Sequence, residues 1–272
     1  MADVGVPRHR PQIEILKKVV PIASLLQCRV VRTKDHKKQA KFDLFEEGED
    51  GLVEGINDEL GPHVLRILPD QGTRSRRHYT MYLPPPPHSS AATETGRGET
   101  VGRPVGRVES DSLGTDFRIY DCSWSGRESD GEGVHWREVC AVHYQVIRLS
   151  KGGPRRMTVV MHAVDKHGTR CKSPAPSADL ARSGLMERYR RFGATDTGIV
   201  VLENKLPRWN EENHSYMLDF FGRVTQPSVK NFQLVHPEDT DYTVAQFGKV
   251  GEDMFTLDLR FPMSPIMAVG IA

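Results

Sequence analysis

The sequence lacks the long apolar segments and the strong net charge that mark membrane-spanning and nucleic-acid-binding chains. No apolar run approaches about 18 residues, the length that a membrane-crossing helix needs, and no signal-type apolar block follows Met1. The 37 basic side chains nearly balance the 36 acidic ones, for a net charge of +1. The sequence therefore predicts neither a membrane span nor secretion, and it excludes a global attraction to nucleic acid or acidic lipid.

Cysteine is also scarce. The chain of 272 residues has four cysteines, with no closely spaced pair: Cys28, Cys122, Cys140 and Cys171. Disulfide frameworks of small secreted domains and zinc modules usually show close spacings. The pattern predicts a protein of a reducing, intracellular compartment, with a cytoplasmic location.

Signatures of catalysis and cofactor binding are missing too. There is no GxSxG motif, and the glycines in residues 96–102 spell GxGxxxG, which matches neither phosphate-binding glycine motif. The two histidines of HAVDKH (162–167) lack further ligands at metal-site spacing, so a polar turn is predicted there. Paired acids lie in turn-like sequence, where carboxylates bond their own backbone or stay solvated. We predict no enzyme, no metal site and no cofactor.

What the sequence does contain is a series of short alternating runs separated by Gly, Pro, Asp and Glu. The clearest is MFTLDLRF (254–261), in which Phe255, Leu257, Leu259 and Phe261 would face the core and the residues between them would face water. Near-regular spacing of such runs with turns is typical of an all-β sandwich or barrel. The other runs lie at 25–32, 40–48, 63–69, 115–122, 137–149, 155–164, 198–204, 215–222 and 231–247.

Three segments depart from this pattern. Residues 1–24 are predicted to be a basic, partly disordered arm, which leaves 25–272 for the barrel domain. Residues 84–107 are rich in Pro, Gly, Ser and Thr and poor in apolar side chains, so a flexible loop is predicted there. Residues 178–192 predict a surface helix, whose apolar stripe would be Leu180, Leu185, Met186 and Tyr189.

The last nine residues are the most apolar part of the chain. Ser264 is a suitable helix N-cap, and Pro265 can occupy the first turn. The run IMAVGIA (266–272) then follows without a polar residue, and a helix that is apolar all round must be buried on every side. A β wall with such a tail predicts a barrel closed around a C-terminal helix.

Positive charge is concentrated locally. Residues 1–40 carry nine Lys and Arg against three Asp and Glu, and Arg74, Arg76 and Arg77 cluster just before His78. One interpretation is a solvated basic face. The other is an anion site, whose ligand would be a phosphate-bearing lipid or nucleic acid.

Several long motifs, taken in order, resemble the C-terminal domain of the tubby protein family. They are LGTDFRIYD, GPRRMTVV, LENKLPRWNEENHSYMLDFFGRVTQPS, SVKNFQLV and FGKVGEDMFTLDLRFP. The resemblance is dense over 198–272, clear at 112–122 and 137–160, and faint at 26–83. It implies a closed antiparallel β-barrel of about twelve strands around a hydrophobic C-terminal helix, which agrees with the all-β fold predicted above.

The resemblance also implies a function. Members of the family bind phosphatidylinositol 4,5-bisphosphate, which holds the domain at the plasma membrane, and act in the trafficking of receptors to cilia. For this chain it implies a non-enzymatic, monomeric phosphoinositide-binding adaptor, cytoplasmic and peripheral at the plasma membrane, with a cilium or nucleus as further locations. Its partners would be phosphoinositide headgroups and trafficking proteins.

Carried over residue by residue, the family's basic motif is only partly kept. The Gly-Lys-x-Arg run reads GRVES here, so Arg107 keeps the first cation while Glu109 replaces the second. A third basic position falls at Trp136, beside Arg137, and an Asn contact falls at Met81. The one-residue shift would put Arg137 on the opposite strand face. The predicted phosphoinositide-binding residues, including the cluster that could compensate, are Arg107, Arg137, Arg74, Arg76 and Arg77.

These departures leave two alternative functions open. The anion at Glu109 favours a lipid-blind protein-interaction scaffold. A nucleic-acid-associated transcription regulator is the other, although the near-zero net charge and the lack of a DNA-reading motif argue against it. The family also continues past the terminal helix, whereas this sequence stops at Ala272, so a truncated helix that fills only part of the barrel is expected.

Overall fold

A computed structural model describes residues 16–34, 38–47, 61–70, 78–85, 93–95, 98–123, 135–145, 156–170, 184–212 and 214–272. The strands are β1 (Leu26–Lys34), β2 (Ala40–Glu46), β3 (His63–Pro69), β4 (His78–Tyr82), β5 (Thr93–Glu94), β6 (Thr100–Val101), β7 (Pro104–Ser110), β8 (Asp116–Ser123), β9 (His135–Tyr144), β10 (Met157–His162), β11 (Ile199–Asn204), β12 (Arg208–Asn210), β13 (Ser215–Met217), β14 (Phe232–His236), β15 (Asp239–Lys249) and β16 (Met254–Leu259). The helices are α1 (Leu185–Phe192) and α2 (Pro265–Ile271).

Twelve of these strands close into an antiparallel barrel. The order around the wall is β1-β16-β15-β14-β11-β10-β9-β8-β7-β4-β3-β2, and β2 pairs back with β1. The strands β5–β6 and β12–β13 form two separate two-stranded sheets. The predicted all-β class and the closed antiparallel barrel are confirmed.

Strand β16 is buried on both of its faces, whereas its alternating sequence predicts that only one face is buried. Its inward residues Phe255, Leu257 and Leu259 are buried, as predicted. Its outward residues Thr256 and Asp258 are buried as well, at 1% and 5% exposure. They are covered because the chain around residue 223 lies over the outside of β16 and contacts both side chains. The prediction that this outer face is wet was wrong.

Helix α2 lies inside the barrel and is buried along almost its whole length. Ser264 occupies the N-cap position, but its side chain makes no capping hydrogen bond. Glycines allow the helix to approach the wall closely: a Cβ at Gly106 would lie 3.2 Å from Ile266 Cγ2 of the helix, and one at Gly270 would lie 2.9 Å from Ile119 Cγ2 of the wall. The predicted hydrophobic helix within the barrel is confirmed.

The segment that precedes β1 also belongs to the core. We call residues 16–20 the N-terminal strap. Leu16 and Val20 are 1% and 6% exposed, and the backbone N–H of Val20 donates to the carbonyl of Met263 at 2.8 Å. The packed part of the chain therefore begins before residue 25, where the sequence analysis placed the start of the barrel domain.

Part of the segment 84–107, which was expected to be a flexible loop, is structured. Its strands β5 and β6 form a hairpin, β7 begins at Pro104, and Val101 is 1% exposed. Glu99 accepts hydrogen bonds from Lys41 Nζ at 2.7 Å and Arg66 Nη1 at 3.4 Å. These contacts offset the conformational entropy that is lost when the segment becomes ordered. The composition of the segment had indicated that nothing would offset this loss. Residues 86–92 and 96–97 lie outside the described ranges.

The surface helix is shorter than predicted. It begins at Leu185 rather than near residue 178, and 178–183 lie outside the described residues. Leu185 and Met186 are buried, with Tyr189 packed beside them, against a cluster on the outside of the wall formed by Ala141, Val160, Ile199 and Val201. The described part of the predicted apolar stripe is therefore confirmed. It packs α1 against the outside of the barrel wall at β9, β10 and β11.

Candidate anion-binding site

Arg107 lies on the outer face of the barrel wall, near the middle of β7. Its neighbour Gly106 faces the interior, and alternation places both Arg107 and Glu109 outside. Directly opposite Arg107 are Thr80 on β4 and Tyr120 on β8. We call this part of β4, β7 and β8 the outer face.

Three side chains hold the guanidinium of Arg107. Its Nη2 lies 2.7 Å from His78 Nδ1, and its Nε lies 3.2 Å from Glu109 Oε1 and 3.8 Å from Asp70 Oδ2. A guanidinium can only donate, so His78 Nδ1 must accept, which places the proton of the neutral ring on Nε2. The Arg107 side chain is 29% exposed. It is a half-buried cation with two carboxylates beside it.

Arg118, which sequence reasoning missed, is a second cation of the outer face. It lies opposite Glu109 across the β7–β8 pair. Burial works against its charge, but a hydrogen bond to Tyr120 and the charge of Glu138 raise its pKa. Burial, followed by the charge of Glu109, raises the pKa of Tyr120. Only the alternation within β8 could have placed Arg118 on this face.

Glu138 connects the outer face to helix α1. Its Oε2 accepts the backbone N–H of Leu185 at 3.1 Å, in the first turn of the helix. Burial raises the pKa of this carboxyl group. When the bordering residues Asp70 and Glu138 are counted with it, the described outer face has the two cations Arg107 and Arg118 against the three carboxylates Asp70, Glu109 and Glu138. Its described charges are thus slightly negative in sum.

Arg137 lies on the other face of the wall. It pairs in register with Asp121, whereas Tyr120, the partner of Arg107, pairs with Glu138 one residue further along. Its Nε and Nη2 donate to Asp121 Oδ1 and Oδ2 at 3.1 and 2.8 Å, and the Asp121 side chain is only 3% exposed. The structure therefore does not bring Arg107 and Arg137 together.

The cluster of Arg74, Arg76 and Arg77 lies outside the described residues. The segment that contains it joins β3 to β4, and the backbone N–H of Asp70 donates to the carbonyl of His78 at 2.8 Å. Both ends of residues 71–77 are therefore attached at the contacts of Arg107. Met81, by contrast, is fully buried inside the barrel and does not reach the outer face.

Sequence reasoning also missed Arg170. It closes the turn 164–170 by a β-bridge with Val164, and its Nη2 lies 3.5 Å from Asp121 Oδ2. The polar turn predicted for HAVDKH is confirmed, since Asp165 Oδ1 accepts the backbone N–H groups of His167 and Thr169. Lys17 of the strap donates to the carbonyl of Cys122, the residue after Asp121. We call Lys17, Asp121, Arg137 and Arg170 the barrel-end cluster.

A further polar network covers the outside of β15 and β16. Arg223 donates to Asp258 Oδ2 at 2.9 Å and Oδ1 at 2.5 Å, and its Nη1 lies 2.8 Å from Glu47 Oε2. Gln246 donates to Asp258 at 2.7 Å. A cavity of about 330 Å³ opens beside this network. Arg223 contacts two carboxylates, Glu47 and Asp258, so this network has no cation in excess that would attract an anion.

The described cysteines are free thiols. Cys28, Cys122 and Cys140 are buried, and Cys171 lies outside the described residues. Burial raises the pKa values of Cys28 and Cys140, which makes them poor nucleophiles. Within the described ranges, no helix is both long and apolar enough to cross a membrane.

The amino-acid sequence is similar to a known protein family and to several known proteins. Residues 16–272 match the Tub family. Tubby-related protein 1 of Mus musculus is 41% identical over 277 residues, covering 99% of this chain and 45% of that protein. Tubby-related protein 2 of Mus musculus is 33% identical, covering 92% and 42%, and Tubby protein homolog 1 of Caenorhabditis briggsae is 44% identical, covering 61% and 39%. The chain thus spans less than half the length of these relatives.

Proposed function

The chain belongs to the Tub family, and on that premise we propose that it is a non-enzymatic adaptor domain that binds a phosphoinositide headgroup of the 4,5-bisphosphate type at the outer face. Binding would hold the domain at the inner leaflet of the plasma membrane, where it would tether trafficking proteins, including those destined for cilia. The observation that carries the proposal is the position of Arg107, a partly exposed cation next to both ends of the arginine-rich segment 71–77.

The described residues of the outer face do not supply enough positive charge by themselves. Arg107 and Arg118 face three carboxylates, and a headgroup with several phosphate charges needs several cations. Arg74, Arg76 and Arg77 add three positive charges to the neighbouring segment. Each arginine near an anionic membrane contributes about 1 kcal/mol. The proposal therefore depends on this segment as much as on Arg107.

Vesicle flotation tests the proposal with the full chain. We compare three kinds of vesicle. The first contains phosphatidylcholine alone, and the second also contains phosphatidylinositol 4,5-bisphosphate. The third has the same total charge as the second, but that charge comes from phosphatidylserine. The triple change Arg74→Ala, Arg76→Ala and Arg77→Ala should weaken bisphosphate binding by about two orders of magnitude. Arg107→Ala should weaken it as well, while Arg208→Ala, at an exposed position of β12, is the matched control.

Equal binding to neutral and bisphosphate-containing vesicles, unaffected by Arg107→Ala, would overturn the proposal. The contact between Arg107 and Glu109 favours one alternative, a lipid-blind scaffold that binds proteins alone, because the carboxylate neutralises the retained cation. That alternative predicts full partner binding in the absence of any vesicle association. The same flotation series therefore separates the two functions.

A further inference from the structure

We propose that the barrel-end cluster is a second anion-binding site, in which Arg137, Arg170 and Lys17 bind one phosphate group. The site faces the end of the barrel beneath the strap, on the opposite side of the wall from Arg107. It is independent of the proposed function at the outer face.

Arg137 and Arg170 contact the same carboxylate, that of Asp121. Arg137 Nη2 and Arg170 Nη2 approach the same atom, Asp121 Oδ2, at 2.8 and 3.5 Å. Arg137 presents its Nε–Nη2 edge to Asp121, whereas Arg170 approaches Asp121 through Nη2. The Nη1 of Arg170 has no hydrogen-bond partner among the described residues. Arg170 Nη1 is buried in this state, and a buried donor without an acceptor costs free energy.

The cluster has positive charge in excess. Arg137 and Arg170 both contact Asp121, and Lys17 contacts the carbonyl of the adjacent Cys122. Among the described residues of the cluster, three cations therefore lie near one carboxylate, because Glu138 faces the other side of the wall. Burial, and then the charge of Arg137, lowers the pKa of Arg170. Burial, and then the charge of Arg170, lowers the pKa of His162 nearby. Both shifts include the repulsion expected where positive charge is not fully compensated.

The site is open to solvent and bounded by two segments in contact. A Cβ at Gly168 would lie 2.2 Å from Val19 Cγ2, so the turn 164–170 lies directly against the strap. The Arg137 side chain is 55% exposed and that of Arg170 is 26% exposed, so a small ligand can reach both. Two planar guanidinium groups and an ammonium group match a phosphate, which offers several oxygens and more than one charge.

Calorimetric titration of the full chain with inorganic phosphate, in chloride buffer of matched ionic strength, tests the site. We expect saturable binding that Arg137→Gln and Arg170→Gln each weaken by at least about tenfold. The matched surface control Arg208→Gln, at an exposed position of β12, should leave it unchanged. Because Arg170 is partly buried, Arg137→Gln and Lys17→Gln provide the test if Arg170→Gln impairs folding.

Two results would overturn the proposal. One is the absence of a saturable effect of phosphate beyond that of chloride. The other is a set of variants that melt at lower temperature but bind phosphate unchanged, which would mean that the cluster only braces the strap. Bisphosphate-containing vesicles identify the source of the phosphate. If the ligand is a lipid headgroup, Arg137→Gln weakens binding to these vesicles. If the ligand is a soluble compound, Arg137→Gln weakens only the binding of free phosphate and leaves vesicle binding unchanged. Either pattern supports the site.

Discussion

Arg107 and Glu109 lie two residues apart on the same face of β7, with Arg107 Nε 3.2 Å from Glu109 Oε1. Both side chains are partly exposed, at 29% and 31%. The carboxylate therefore competes with any external anion for the guanidinium. In the proposed headgroup site, this pair would determine how much of the positive charge of Arg107 is available to the ligand.

Glu109→Gln should strengthen binding to bisphosphate-containing vesicles. The change removes the competing charge and keeps a side chain of the same size, and an exposed ion pair is worth up to about 1 kcal/mol, or about fivefold in affinity. Flotation against increasing lipid concentration measures the effect. Glu203→Gln, at an exposed position of β11, changes the net charge equally and should have little effect. Similar gains in both variants would show that net charge alone is responsible.

Asp258→Ala should destabilise the barrel far more than Asp253→Ala. Asp258 is buried against Arg223 and Gln246, and removing one member of a buried pair costs about 3–5 kcal/mol; the second contact of Arg223 with Glu47 favours the lower end. Asp253 contacts Arg32 at 2.6 Å but is 46% exposed, and such pairs are worth about 1 kcal/mol or less. Urea unfolding measures both; equal losses would contradict the buried network.

The free energy of unfolding should decrease as the pH falls below about 7, because of His162. Burial and the charge of Arg170 lower the pKa of His162 in the folded state, while an unfolded histidine titrates near 6.5. As the pH falls through about 6.5, the unfolded state binds a proton that the folded state does not, so the free energy of unfolding falls.

His162→Gln removes this difference in proton binding and should flatten the loss of stability on acidification. His167→Gln is the control, because His167 is an exposed histidine of the adjacent turn. Urea unfolding curves at a series of pH values measure the slope. If the wild type and the two variants have the same slope, the assignment to His162 is wrong.

Leu16→Ala should destabilise the fold by about 2–5 kcal/mol, since Leu16 is 1% exposed within the barrel core. Leu113→Ala is the matched control, because Leu113 is 82% exposed and its truncation creates no cavity. Thermal or urea unfolding measures the difference. A negligible effect of Leu16→Ala would show that the strap is not part of the core and would restore a domain boundary near residue 25.

The fold could be predicted because its signals are local. Strands such as His63–Pro69 can be recognised by alternating apolar residues and by the turn residues that flank them. The apolar run after Pro265 predicts a helix that is buried on all sides. The buried outer residues of β16 could not be predicted in this way. Asp258 is covered by Arg223, 35 residues earlier in the chain, and no pattern within either segment indicates that contact.

The sequence alone determined the fold class, the antiparallel barrel with its central helix, the family, and the face of Arg137, because alternation and motif order depend on near neighbours in the chain. Only the tertiary structure decided the electrostatic state of the site residues. Arg107 takes its partners from Asp70, which follows β3, and from β4 and β7, and Arg137 shares Asp121 with Arg170 from a distant turn. Charge pairing depends on distance in space, which the order of residues does not contain.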